Sequence, residues 1–192
     1  TWWLALGLFT LALLTKSVTA TLPAALLVIF WWRRGRLSWR DDARPLLPWF
    51  ALGAAAGLFT GWVEREFVGA SGVEFQLTAA QRVLVAGRAI WFYLGKLVWP
   101  GELVFIYPRW KVDGAAVTQW LFPLGVIGLL GGLWLLRRGG RGRLAAWLFF
   151  TGSLVPVLGF FNVYAFLYSF VTDHWQYLPS IGIISLAAAG AA

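Results

Sequence analysis

The chain has 192 residues, of which 60% are hydrophobic, 18% aromatic and only 12% charged. Soluble globular domains average about 45–50% apolar and about 25% charged residues, so this composition excludes an ordinary soluble enzyme and a disordered chain. The absence of cysteine excludes a disulfide-rich secreted module. The net charge of +8 resides mainly in two short loops, described below, so it gives no reason to expect nucleic acid as a partner.

Long runs without charged residues predict membrane helices along the chain. A bilayer core about 30 Å thick is crossed by about 20 apolar residues in a helix. Six runs approach that length, at residues 2–14, 17–32, 46–63, 119–136, 144–161 and 178–192. We therefore predict one all-α membrane domain over residues 1–192, a polytopic integral membrane protein with about six membrane helices.

Two basic loops predict the orientation of these helices. Residues 33–44 carry a net charge of +3, and residues 137–143 carry +4. Basic residues in short loops stay on the cytoplasmic side, so we expect both loops there and residues 64–118 on the outer side. Arginine far outnumbers lysine, which by composition alone suggests a GC-rich bacterial source. We expect a multi-pass protein of the bacterial inner membrane.

Residues 79–98 form the one ambiguous segment. Thr78 and Gln81 have the spacing of a capping box, which marks a helix start, and Pro100 ends the helix. Four polar side chains share one third of the helix circumference, namely Gln81, Arg82, Arg88 and Lys96. A basic stripe opposite a broad apolar face predicts an amphipathic helix in the plane of the outer membrane interface.

Aromatic and charged residues alternate in residues 99–113, WPGELVFIYPRWKVD. Aromatic faces stack on sugar rings, and basic side chains pair with phosphate, so this mixture suits a ligand that is part sugar, part phosphate and part lipid. An aromatic belt at the headgroup level is an equally good explanation. Farther along, Asp173 and His174 are adjacent, which by spacing alone is neither a catalytic pair nor a metal site.

Three segments resemble a known family. Residues 15–23 read TKSVTATLP, residues 92–110 read FYLGKLVWPGELVFIYPRW, and residues 168–182 read YSFVTDHWQYLPSIG. They resemble the corresponding motifs of bacterial relatives of the transmembrane and tetratricopeptide-repeat O-mannosyltransferases. This resemblance implies the multi-helix membrane architecture of lipid-sugar-dependent (GT-C) glycosyltransferases, with a polyprenyl-phosphate sugar as donor and a hydroxyl on a protein or glycan as acceptor.

The family pattern is incomplete in these residues. There is no methionine, even at position 1, so we expect an internal fragment of a longer protein. The resemblance implies that the main catalytic carboxylate lies upstream of residue 1 and that tetratricopeptide repeats follow downstream, and neither is present here. We therefore expect the intact protein to be an enzyme and the fragment alone to be inactive. No cofactor or metal site is predicted in the fragment, and whether the reaction requires a metal is left open.

We choose candidate site residues by two criteria: a position on the predicted outer side of the membrane, and a side chain whose chemistry suits the ligand. The candidates for binding phosphate are Lys16, Arg88, Lys96, Arg109 and His174. The candidates for packing against sugar or lipid are Trp99, Tyr107, Trp110, Tyr168 and Trp175. Asp173 is a weaker candidate for a catalytic acid or base. The expected partners are membrane lipid, a lipid-linked sugar and a protein acceptor.

Two other functions remain open at this point. The chain also fits a non-catalytic membrane anchor or scaffold for tetratricopeptide repeats. A transporter of lipid-linked sugars is a weaker alternative, because transporters place ionisable groups and broken helices near the membrane midplane. The predicted spans carry no charge, and Pro23 and Pro156 are the only helix breakers that we expect inside them.

Overall fold

A computed structural model of the chain describes residues 1–191, and the regular secondary structure among those residues is all helical, with no β-strand. The α-helices are α1 (Trp2–Thr15), α2 (Leu22–Arg34), α3 (Leu47–Val63), α4 (Ala79–Val98), α5 (Val117–Leu135), α6 (Gly142–Leu154) and α7 (Tyr177–Ala191). The prediction of an all-α chain is confirmed. The last residue of the predicted run 178–192 lies outside the described residues.

Two helical runs are long and apolar enough to cross a membrane. They are Trp39–Val68, which contains α3, and Val117–Gly139, which contains α5. The other predicted spans contain helices of 13 to 15 residues, which at 1.5 Å per residue are about 20 Å long and shorter than a bilayer core. Helix length and composition therefore support two membrane-spanning helices. They do not support the six crossings predicted from the sequence.

Two boundary predictions and one prediction about prolines need correction. The run at 17–32 begins with a short 3-10 helix, Ser17–Thr21, before α2. The run at 144–161 is helical only to Val157, because Pro156 lacks an amide donor and Gly159 turns the chain with a φ of +96°. Pro123 lies inside α5, so Pro23 and Pro156 are not the only prolines within the predicted spans.

The two basic loops lie together at one end of the helices. The Nε of Arg141 donates a hydrogen bond to the carbonyl of Trp32 at 3.3 Å. The Arg141 guanidinium packs directly on Gly35, whose φ of +77° ends α2. The loops at 33–44 and 137–143 are therefore neighbours in the fold.

Helix α4 begins and ends where the sequence predicts. Thr78 Oγ1 accepts from the backbone amide of Gln81 at 3.2 Å, and Gln81 Oε1 accepts from the amide of Thr78 at 2.9 Å. This capping box satisfies two amides that a helix start would otherwise leave unpaired. Much of the helix is buried, including Tyr93 and Ala89 at its centre.

The basic stripe of α4 does not face open solvent or free lipid headgroups as predicted. Arg82 donates to the carbonyl of Gly159 at 2.7 Å and to Oδ1 of Asn162 at 2.9 Å. Arg88 stacks over the Trp110 ring at 4.4 Å. Loops of the same chain cover this face because their carbonyls, which lack helix partners, need hydrogen-bond donors. The amphipathic pattern is present, but its polar side meets protein.

Residues 99–116, here called the return segment, run back along α4 in the opposite direction. Successive contacts pair Lys96 with Gly101, Phe92 with Tyr107, Arg88 with Trp110 and Gln81 with Val112. The chain therefore reaches the start of α5 beside the start of α4. Consistent with this arrangement, the Trp91 indole of α4 donates to the carbonyl of Phe122 in α5 at 2.9 Å.

A glycine allows α4 and α5 to pack closely. A Cβ atom at Gly87 would lie 2.5 Å from the backbone nitrogen of Pro123 and 2.7 Å from its ring. Gly95 lies on the same helix and has nothing within 4 Å of its Cβ position. The two glycines thus provide a matched pair for testing the contact.

We predict that Gly87→Ala destabilises the protein by about 1–3 kcal/mol, because backbone and proline atoms must move to admit the methyl group. Gly95→Ala should be neutral or stabilising by up to about 1 kcal/mol, since alanine favours helix. Thermal unfolding in detergent micelles measures both changes. Equal effects of the two variants would contradict the close packing of α4 on α5.

Candidate functional site

One pocket has a volume of about 710 Å³, within the usual range of about 300–1,000 Å³ for small-molecule sites. It lies between the end of α4, the first part of the return segment and the start of α7. Its apolar wall consists of Leu97, Pro100, Leu103, Val104 and Phe105. Its polar wall consists of Lys96, Asp173, His174, Gln176, Tyr177 and Ser180. One side of the pocket thus suits hydrocarbon and the other an anionic, hydrogen-bonding group.

Two of the three segments that carry the family resemblance line this pocket, and the third lies near it. Residues 92–110 supply the apolar wall and Lys96, and residues 168–182 supply the rest of the polar wall. The third segment contributes Lys16, whose positive charge acts on His174. Residues far apart in sequence therefore form one site.

A tyrosine holds the acidic group of the pocket in place. The hydroxyl of the buried Tyr107 donates to the Asp173 carboxylate, with its oxygen 2.8 Å from Oδ1 and 3.0 Å from Oδ2. The same hydroxyl accepts from the amide of Val104 at 3.3 Å. A hydrogen bond to a charged acceptor is stronger than a neutral one, so this contact orients the carboxylate firmly.

Lys96 stabilises the turn that starts the return segment. Its Nζ donates to the carbonyl of Gly101 and, at 3.1 Å, to that of Glu102. Glu102 has a φ of +49°, in the left-handed region that residues other than glycine rarely adopt. The Lys96 ammonium also lies 5.1 Å from the centre of the Tyr107 ring. Lys96 therefore supplies positive charge to the pocket while holding one of its walls.

His174 is oriented by two neighbours. Its Nδ1 lies 2.6 Å from Thr172 Oγ1, and its ring stacks on Phe105 with the centroids 5.3 Å apart. Burial lowers the pKa of His174, and the charge of Lys16 lowers it further, while Asp173 acts in the opposite direction. Burial and the charge of Lys16 thus favour the neutral imidazole of His174, and an anion bound beside it would favour the charged form.

The structure separates the predicted phosphate ligands into two groups. Lys96 and His174 line the pocket, and Lys16 lies close enough to influence His174. Arg88 stacks on Trp110 beside α5, outside the pocket lining. Arg109 is also outside it: Nη1 is 3.0 Å from Glu74 Oε2, and the guanidinium lies over the ring of Phe170.

The predicted aromatic residues are spread more widely. Tyr107 reaches the pocket through Asp173, whereas Trp110 and Trp175 pack in the interior beside the buried cluster around Phe170. Trp99 and Tyr168 are exposed and do not line the pocket.

Sequence reasoning missed Phe105, Gln176 and Ser180 as site residues. Phe105 belongs to the aromatic run at 99–113, and Gln176 and Ser180 belong to the QYLPS part of the segment 168–182. The two segments that carry the family resemblance could therefore have indicated all three residues. Within residues 1–191, no three His, Asp or Glu side chains cluster closely enough to hold a metal ion.

Comparison of the chain with protein-family models, curated proteins and solved structures finds no match. The family resemblance consequently rests on the three segments themselves. The meeting of residues 92–110 and 168–182 at one pocket is the structural observation that bears on function.

We predict that Lys16→Ala raises the pKa of His174, because a neighbouring positive charge is removed, and that Asp173→Asn lowers it. A pH titration of the His174 imidazole by NMR measures both shifts, and Lys111→Ala, an exposed cation outside the pocket, should cause none. Since the pKa is depressed on folding, the associated stability is present above about 6.5, the usual histidine value. It is lost as the pH falls through the lower folded-state pKa. Unchanged titration in Lys16→Ala would refute this electrostatic contact.

Proposed function

We propose that this chain forms part of a membrane glycosyltransferase, which moves a sugar from a polyprenyl-phosphate donor to a hydroxyl acceptor on a protein or glycan. The observation that carries the proposal is the pocket where residues 92–110 and 168–182 meet, with the charge of Lys16 beside it. Its apolar wall suits an isoprenoid chain, and Lys96 and His174 suit a phosphate.

The charges of the pocket fit the chemistry of such a donor. When the sugar leaves, negative charge develops on the phosphate, and cations fixed nearby stabilise that charge without reorganising. Lys96 lines the pocket and Lys16 acts on His174, so positive groups surround the position expected for the phosphate. A phosphate bound there also favours the charged form of His174.

The acceptor hydroxyl requires a proton acceptor. Asp173 is the one acidic residue that lines this pocket among residues 1–191, and Tyr107 fixes the direction of its carboxylate. The family resemblance implies a catalytic carboxylate in an outward loop near the first membrane helix. In the proposed enzyme, that group is the principal base, and Asp173 orients the ligand or assists proton transfer.

The proposed location is the bacterial inner membrane, in a multi-pass arrangement with the loops at 33–44 and 137–143 in the cytoplasm. Their contact through Arg141 and Trp32 supports a common side. In this arrangement the four shorter helices complete six crossings, aided by local thinning of the bilayer. Helix α4 and the return segment then lie at the outer face.

We predict that His174→Ala lowers sugar transfer at least about tenfold in membranes carrying the full-length protein, because a phosphate ligand is lost. Lys96→Gln should have a similar effect. Transfer of labelled sugar from polyprenyl-phosphate donors measures activity, and Lys111→Ala is the matched control for loss of an outward-facing cation.

The alternatives give different results. Transfer that persists at the normal rate in both pocket variants would place the phosphate site elsewhere. No transfer by the wild-type protein from any mannosyl or glucosyl donor would favour the membrane scaffold. Protein-dependent movement of donor across vesicle membranes without transfer would favour the transporter.

A further inference from the structure

The two basic loops of the chain form a single surface. The loop at 33–44 carries a net charge of +3 and the loop at 137–143 carries +4. They meet where the Arg141 Nε donates to the carbonyl of Trp32, 109 positions away in the sequence. The Arg141 guanidinium also fills the space that a side chain at Gly35 would need. The fold thus collects a net charge of +7 at one end of the molecule.

The acids of this surface are already engaged. Asp42 is buried, and its carboxylate accepts from the Arg34 guanidinium and, at 2.9 Å, from the amide of Ser38. Asp41 accepts from the Ser38 hydroxyl at 2.7 Å. Six exposed arginines have neither an ion pair nor a side-chain hydrogen bond within residues 1–191, namely Arg33, Arg36, Arg40, Arg44, Arg138 and Arg143. The surface therefore carries positive charge that no acid of the described chain matches.

The surface lies where the two spanning helical runs end. The run Trp39–Val68 begins within the first loop, and the run Val117–Gly139 ends within the second. Trp39 and Trp134 are exposed there, and the Arg137 guanidinium lies 3.8 Å from the centre of the Trp134 ring. Tryptophan at the end of a membrane helix is typical of the headgroup level. This position favours a lipid headgroup over nucleic acid as the partner of the arginines.

We propose that the two loops together bind the phosphate of an anionic phospholipid. A guanidinium offers paired donors to phosphate oxygens and is more weakly hydrated than an ammonium, and basic pockets between membrane helices bind such headgroups. Phosphatidylcholine has a similar phosphate but adds a quaternary ammonium, which the arginines repel. The site therefore prefers phosphatidylglycerol to phosphatidylcholine. The proposal needs insertion in a membrane but not sugar transfer, so it is independent of the proposed function.

Gly35 decides whether the loops meet. Its φ of +77° lies in the left-handed region that favours glycine, and a methyl group there would occupy the position of the Arg141 guanidinium. Gly139 belongs to the second loop and has nothing within 4 Å of its Cβ position. Alanine at position 35 therefore displaces Arg141 from the first loop without changing any charge. Alanine at position 139 changes neither the contact nor the charge.

The test compares two lipids on the purified full-length protein in phosphatidylcholine nanodiscs. Electron paramagnetic resonance of spin-labelled phosphatidylglycerol and phosphatidylcholine measures how strongly the protein immobilises each. We expect the wild-type protein to favour phosphatidylglycerol about fivefold or more, the factor that corresponds to one basic residue near an anionic headgroup. Arg36→Gln with Arg138→Gln, one exposed charge from each loop, should bring the ratio below about two. Arg65→Gln with Lys111→Gln removes two exposed charges outside these loops and should keep the wild-type ratio.

A second pair of variants tests the arrangement at constant charge. Gly35→Ala should lower the ratio by at least about half, because the two loops no longer act together. Gly139→Ala should leave the ratio unchanged. A further measurement needs no variant: a photoactivatable phosphatidylglycerol should label peptides from both loops of the wild-type protein.

Four results would overturn the proposal. They are equal immobilisation of the two lipids by the wild-type protein, label in only one of the loops, and a full preference in either the double-arginine variant or Gly35→Ala. The fourth is loss of the preference when a short DNA oligonucleotide is added, which would assign the surface to nucleic acid instead of lipid.

Discussion

The hydrogen bond from Tyr107 to Asp173 joins two segments that lie 66 positions apart in the sequence. The return segment has no helix of its own over residues 99–116, so its position depends on side-chain contacts with α4 and on this bond. Tyr107 fixes the first wall of the pocket to the second, and Lys96 holds the turn between α4 and that wall. The pocket exists because these contacts fold the return segment back along α4 instead of letting it extend away from that helix.

The local features of the fold were largely predictable. The capping box at Thr78 and the proline at position 100 set the limits of α4, because helix ends are governed by a few neighbouring residues. The all-helical class followed from the apolar runs. The environment of the polar face of α4 was not predictable, because helical periodicity does not distinguish a face that meets water from one that meets backbone carbonyls. Pro123 was overlooked because it lies in a run whose other features all favour helix, and Gly87 makes room for it across the interface.

The sequence predicted which segments form the candidate site, but it predicted only some of the residues that line it. The two motif segments do line one pocket, and Lys96 and His174 belong to it. Arg88 and Arg109 have the same charge and lie in the same part of the chain, yet one stacks on Trp110 and the other pairs with Glu74. Sequence shows which side chains carry charge, whereas tertiary packing decides which charges are already matched.

The most direct test of the central claim is to locate a lipid phosphate on the protein. A diazirine-bearing polyprenyl phosphate would be photo-activated with the full-length protein in bilayers, and the labelled peptides mapped by mass spectrometry. The account predicts label in both residues 96–105 and 173–181, and loss of that label when excess undecaprenyl phosphate competes. Label confined to other helices, or label that the competitor does not remove, would contradict the assignment of this pocket to a lipid-linked phosphate.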